Sequence, residues 1–154
     1  MAIRSGLARL EGVESINPRA DFKAATCEVH WKNGQFIDPQ TLSNHVYQLS
    51  LGARLRGLEA TVEGWLKKEG SDVVLQIRGT NVVLRLAPLR VKVQRDVARK
   101  APSPLTPAEA SAYENLLAHW KGDPHPVRVT GPVVKNDRGP GFALEVRQFE
   151  LIER

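Results

Sequence analysis

Alternation of apolar and polar residues dominates the chain from Leu58 to Leu151 and predicts five β-strands with one helix between the third and the fourth. Ala60, Val62, Gly64 and Leu66 share one face, with Thr61, Glu63, Trp65 and Lys67 on the other; Glu69-Gly70-Ser71-Asp72 then supplies a turn. Val73, Leu75 and Ile77 point inward and Val74, Gln76 and Arg78 outward. Gly79-Thr80-Asn81 reverses the chain, and Val82, Leu84 and Leu86 resume the inward face up to Pro88. Val127, Val129, Gly131 and Val133 form a fourth strand, Asn136 to Gly141 a Gly/Pro hairpin tip, and Phe142, Leu144 and Val146 a fifth. Gly64 and Gly131 fall inside strands, where glycine marks the bend a small barrel needs in order to close.

The helix is announced by Thr106-Pro107-Ala108-Glu109, a capping box with proline at the first helical position. Ala110, Tyr113, Leu116, Leu117 and Trp120 recur at helical spacing and predict the packed stripe; Gly122 and Pro124 end the run. In strand lengths, helix placement and the glycine of Val129-Thr130-Gly131, this stretch resembles an OB-fold domain. The resemblance implies binding of oligonucleotides, oligosaccharides, proteins or small ligands across an outer strand face. The outward residues Trp65, Lys67, Gln76, Arg78 and Arg85 are the candidate ligand-binding set.

The first 57 residues read as a separate unit. Ile3, Leu7 and Leu10 line a helix that stops at Gly12-Val13, strands follow at Glu14 to Asn17 and Ala24 to Trp31, and Asp38 caps a second helix. Pro39 opens that helix, Leu42, Val46 and Leu49 form its stripe, and it ends at Gly52. This order, with Ala25 and Val29 on the second strand, resembles the heavy-metal-associated domain, a ferredoxin-like βαββαβ sandwich that binds copper or zinc through a Cys-x-x-Cys loop. The loop and the first strand would both lie upstream of Met1, so the resemblance gives no metal ligand to any residue here. A sandwich without its central first strand has open backbone groups. Insertion of Arg54 to Thr61 beside Ala24 to Trp31, or a longer parent protein carrying the missing part, is favoured over a strand donated by a second chain.

Cys27 shares a strand face with Ala25, Val29 and Trp31 and reads as a buried thiol; at odd spacing from His30 it cannot share an ion with it. His30, His45, His119 and His125 are scattered, and no nucleophile elbow, phosphate loop or His-Glu-x-x-His helix appears. The expectation is therefore a protein that is not an enzyme and needs no cofactor.

Charge adds one feature. The chain has 22 Lys+Arg against 17 Asp+Glu, and its net +5 equals that of the single stretch Arg85 to Lys100, where Arg85, Arg90, Lys92, Arg95, Arg99 and Lys100 face one acid, Asp96. Such a stretch is either a solvated connection or a basic arm for phosphates. Single-strand-binding barrels stack bases on several aromatic side chains, each worth roughly 1–3 kcal/mol, and here only Trp65 qualifies. No run of 18 apolar residues predicts a membrane span.

The sequence thus predicts an α+β chain: a truncated ferredoxin-like unit over 1–57 and a five-stranded OB-like barrel over 58–154. The expected role is a binding or adaptor module of metal-handling ancestry for a protein or small ligand. Weak, salt-sensitive binding of single-stranded nucleic acid is one alternative, and a metal-binding protein with its Cys-x-x-Cys upstream is another.

Overall fold

The computed structural model describes residues 8–16, 29–32, 35–49, 57–93, 95–96 and 101–153. The chain divides into two compact units, Met1–Arg56 and Gly57–Arg154. In the first, β1 (Val13–Ile16) pairs antiparallel with β2 (Val29–Trp31), and Gly12, at a φ of 93°, makes the turn into β1. Helix α1 (Pro39–Leu49) starts where the sequence places it. Asp38 accepts from the Thr41 backbone N–H at 2.8 Å and from the Thr41 hydroxyl at 3.0 Å, while Leu42 and Val46 are buried. Besides Ala8, which is helical, the described residues of this unit form one hairpin and one helix, and a ferredoxin-like sandwich is not shown. Most of the helix expected at Ile3 to Leu10, together with Ala25, Cys27 and Gly52, lies outside them.

The second unit is a closed, mixed, five-stranded barrel, consistent with an OB-like barrel. Its strands are β3 (Glu59–Glu69), β4 (Asp72–Ile77), β5 (Val83–Pro88), β8 (His125–Lys135) and β9 (Phe142–Val146). The circuit runs β8-β3-β4-β5-β9 and returns to β8; β5 and β9 are parallel and every other pair antiparallel. After a break at Arg147 the chain continues as β10 (Gln148–Leu151), which pairs with the first half of β8. A two-residue ladder, β6 (Arg95–Asp96) with β7 (Ala101–Pro102), lies between β5 and the helix. The start of β3 pairs with Pro132 to Thr130 of β8, and Leu58 O accepts from Val133 N at 2.8 Å. Leu58 to Thr61 thus belongs to the barrel, and the rest of the expected insertion, Arg54 to Arg56 beside Ala24 to Glu28, lies outside the described residues.

Most inward residues predicted by alternation form the core: Leu66, Leu75, Leu84, Leu86, Val127, Val129, Leu144 and Val146 are fully buried, whereas Phe142 is half-buried. Gly64 and Gly131 have a concrete cause. A Cβ on Gly64 would overlap the carbonyl oxygen of Gln76, and one on Gly131 would overlap that of Glu145 while lying 3.1 Å from Arg147 N. At both places a neighbouring strand crosses against bare backbone, as tight coiling of a small barrel requires.

Helix α2 (Pro107–His119) packs against β5, β9 and β10. Its capping box is complete, with Thr106 Oγ1 accepting from Glu109 N at 3.2 Å and Glu109 Oε1 accepting from Thr106 N at 2.9 Å. Thr106→Ala is expected to cost about 1 kcal/mol in urea denaturation. The stripe is phased differently from the prediction: Glu109, Ala112 and Leu116 are buried, Ala110 is exposed, and Tyr113, Leu117 and Trp120 are only half-buried. Glu109 takes the place of an apolar residue because two cations follow it inside. Lys92 Nζ donates to it at 3.0 Å and Arg147 Nη1 at 3.4 Å, and Arg147 also grips Glu59, at 2.6 Å through Nη2.

Candidate functional site

Four of the five expected site residues come together on the outer face of β3 and β4. Trp65 lies opposite Gln76 on one side and Pro126 on the other, in a row that Val83 extends on β5. The pleat that drives Val62, Gly64 and Leu66 inward turns Trp65 and Lys67 outward. Trp65 is 43% exposed and Val83 42%, so this row is the apolar strip of the barrel exterior. Lys67 Nζ donates to Gln76 Oε1, an uncharged partner, and no carboxylate among the described residues pairs with its ammonium. Arg78, with a side chain 78% exposed, reaches Glu63 only at 3.8 Å, and Glu63 is itself held by Arg128. The result is a concavity of about 380 Å³ walled by Trp65, Lys67, Gln76 and Arg78 and completed by Thr80 and Pro124. Its size is within the range of small-ligand sites.

Thr80 and Pro124 were not among the expected site residues. The hairpin signal Gly79-Thr80-Asn81 foretells the turn at this end of the barrel, and the Thr80 hydroxyl donates to Ile77 O at 3.0 Å to shape it. Pro124 arrives from the loop after α2, a placement with no local signal.

Arg85 stands apart from the other four. Its Nε donates to Asn136 Oδ1 and its Nη2 to Asp137 Oδ1, both at 2.9 Å, and its side chain is only 14% exposed. It belongs to a second concavity, of about 210 Å³, between β5, β9 and the Asn136–Gly141 hairpin. Alternation assigns Arg85 the outer face of β5 that Val83 shares, but its guanidinium is taken by Asn136 and Asp137 of the hairpin rather than by the Trp65 concavity.

The basic stretch is largely neutralised where its side chains are described. Arg85 pairs with Asp137, Arg90 with Glu145 at 2.8 Å, and Lys92 with Glu109. Arg90 donates its backbone N–H to the same Glu145 carboxylate at 3.0 Å, and the hydrogen bond and charge of Glu145 hold the Arg90 guanidinium above its ordinary pKa. Arg99 and Lys100 lie outside the described residues, as do the side chains of Arg95 and Asp96. A free basic arm therefore finds no support in Arg85, Arg90 or Lys92.

Among the described residues no group of three or more His, Cys, Asp or Glu side chains is arranged to hold a metal ion, and no helix is long and apolar enough to cross a membrane. No family model, curated protein or solved structure matches the chain, and the resemblance to the heavy-metal-associated domain gains no support.

Proposed function

We propose that the chain is a non-enzymatic binding module of the OB-like kind, which takes a protein segment or small ligand on the outer face of β3 and β4. The observation that carries this reading is the exposed indole of Trp65 beside two cations, in a concavity otherwise walled by an amide, a hydroxyl and a proline. Leaving a tryptophan ring half in water forgoes burial that other apolar residues of this barrel obtain. A ligand with a flat apolar group over Trp65 and an anionic group toward Lys67 and Arg78 would use every feature of the wall. Gln76 then offers a further amide, at the cost of its bond to Lys67. The wall brings no carboxylate or imidazole beside a nucleophile, so the reading is of binding without chemical transformation. Metal-handling ancestry plays no part in it.

The test is an NMR titration with fragments that each carry a flat ring and a carboxylate, indole-3-acetate and 2-naphthoate first. Perturbations are expected to gather at Trp65, Lys67, Gln76, Arg78 and Thr80, and Trp65→Ala is expected to weaken binding about tenfold or more. Perturbations centred elsewhere, or unchanged affinity in Trp65→Ala, would sink the reading. Fluorescence anisotropy with labelled oligothymidylate at two salt concentrations examines the nucleic-acid alternative; a lone stacking platform predicts weak binding that fades with salt.

A further inference from the structure

The second concavity has a chemistry of its own. Four cations, Arg85, Arg90, Lys135 and Arg138, and two acids, Asp137 and Glu145, wall it. Glu145, on β9, is 3% exposed and committed to Arg90 by two hydrogen bonds, so that pair is part of the wall. Arg85 differs. It projects from the middle of β5, and what neutralises it is the tip of a hairpin more than fifty residues further along, through an amide oxygen and an Asp137 carboxylate that is 66% exposed. The same hairpin is pinned once more where Arg138 Nη1 donates to Asp72 Oδ1 at 3.0 Å, at the β3–β4 turn. Asn136 Oδ1 also accepts from Arg138 N at 3.1 Å and thereby sets the turn that presents Asp137.

We propose that this concavity is a binding site for a small phosphate or pyrophosphate group, and that Asp137 occupies the anion's place on Arg85 when no ligand is bound. An arginine fork matches two oxygens of a carboxylate and of a phosphate alike, so the Asp137 contact is the geometry a phosphate oxygen would take. Lys135 is exposed and adjacent, and Arg138 would supply a third cation. At about 210 Å³ the space is smaller than the usual range for drug-sized ligands, which fits an oxyanion or the terminal phosphate of a larger molecule. An anion that takes over the Asp137 contact keeps the shielded Arg85 paired, while Asp137, 66% exposed, returns its carboxylate to water.

The experiment is an NMR titration of the full chain with inorganic phosphate and with pyrophosphate at low ionic strength, with sodium chloride as the control for ionic strength. Saturable perturbations are expected at Arg85, Lys135, Asp137 and Arg138. Asp137→Asn, which removes the competing charge and keeps the hydrogen-bond acceptor, is expected to tighten binding roughly threefold to tenfold. Lys135→Gln, at an exposed position that leaves the thermal midpoint unchanged, is expected to weaken it by a similar factor, and Arg85→Gln to abolish it. Shifts equal to those given by sodium chloride, perturbations centred on Trp65, or an Asp137→Asn affinity no higher than that of the natural chain would each overturn the proposal. An identical response of phenyl phosphate and inorganic phosphate would place the determinant in the phosphate group; tighter binding of phenyl phosphate with new shifts around Ala87 and Pro88 would identify the ligand as a phosphate ester. Either result supports the site.

Discussion

Replacement of Gly131 by alanine is expected to cost at least about 4 kcal/mol, a large part of the 5–15 kcal/mol that holds an ordinary domain together. The added methyl would meet the carbonyl of Glu145, whose carbon is 2.8 Å away, and Arg147 N at 3.1 Å. These are backbone atoms of β9 and of the residue that joins it to β10, and both strands are paired to β8, so no side-chain rotation relieves the overlap. Relief requires opening the seam at which β9 passes into β10. Gly64→Ala is expected to act similarly through Gln76, whereas Gly139→Ala, with only the Asn136 side chain nearby at 3.9 Å, should change stability by less than about 0.5 kcal/mol. Urea denaturation followed by circular dichroism distinguishes the three, and a Gly131→Ala protein as stable as the natural one would refute the close-approach account.

The second large effect is expected at Arg147. Its guanidinium makes three contacts to Glu59 and one to Glu109, with all three side chains largely shielded from water. Burial alone would lower its pKa, but Glu59 and Glu109 hold it above the ordinary value. Arg147→Met would leave Glu59 without that partner in the shielded site, at a cost of about 3 kcal/mol. Glu109 gives this network a pH signature. The Thr106 backbone N–H and Lys92 outweigh burial and lower its pKa from 4.5 to about 2. A depressed carboxylate contributes stability above its unfolded value, because only the unfolded chain takes up the proton first. The contribution is therefore complete above pH 4.5 and is lost as pH falls toward 2. Glu109→Gln is expected to be clearly less stable than the natural chain at neutral pH and to approach it in stability through that window. A constant difference at every pH would show that the charge is not what matters.

Local signals carried much of the barrel. The capping box, the two strand glycines and the inward set of each strand were legible because turn chemistry and pleat act over a few residues. What stayed hidden depended on distant partners. Glu109 reads as a solvent-facing first-turn acid until Lys92 and Arg147 are brought to it, and this shifted the helix stripe by a residue or more. The break at Arg147 separates β10 from β9, and alternation up to Val146 says nothing of it. Val74 has an outward phase on β4, yet it is buried. For the candidate site, the sequence grouped Arg85 with Trp65 because period-two reasoning yields a face but not a position around a cylinder. The four residues it grouped correctly sit on adjacent strands joined by one tight turn.

The parallel seam between β5 and β9 also dictates an order of assembly. The third strand of the barrel waits for the fifth, so Val83–Pro88 keeps one edge unmatched while the helix and the whole of His125–Lys135 are being made. On the ribosome the nascent chain would carry two bare strand edges at once, and only Phe142–Val146 can stitch both. Such late, long-distance closure is slow and leaves a window in which another chain's strand can intrude. The last strand of the barrel is thus also its clasp.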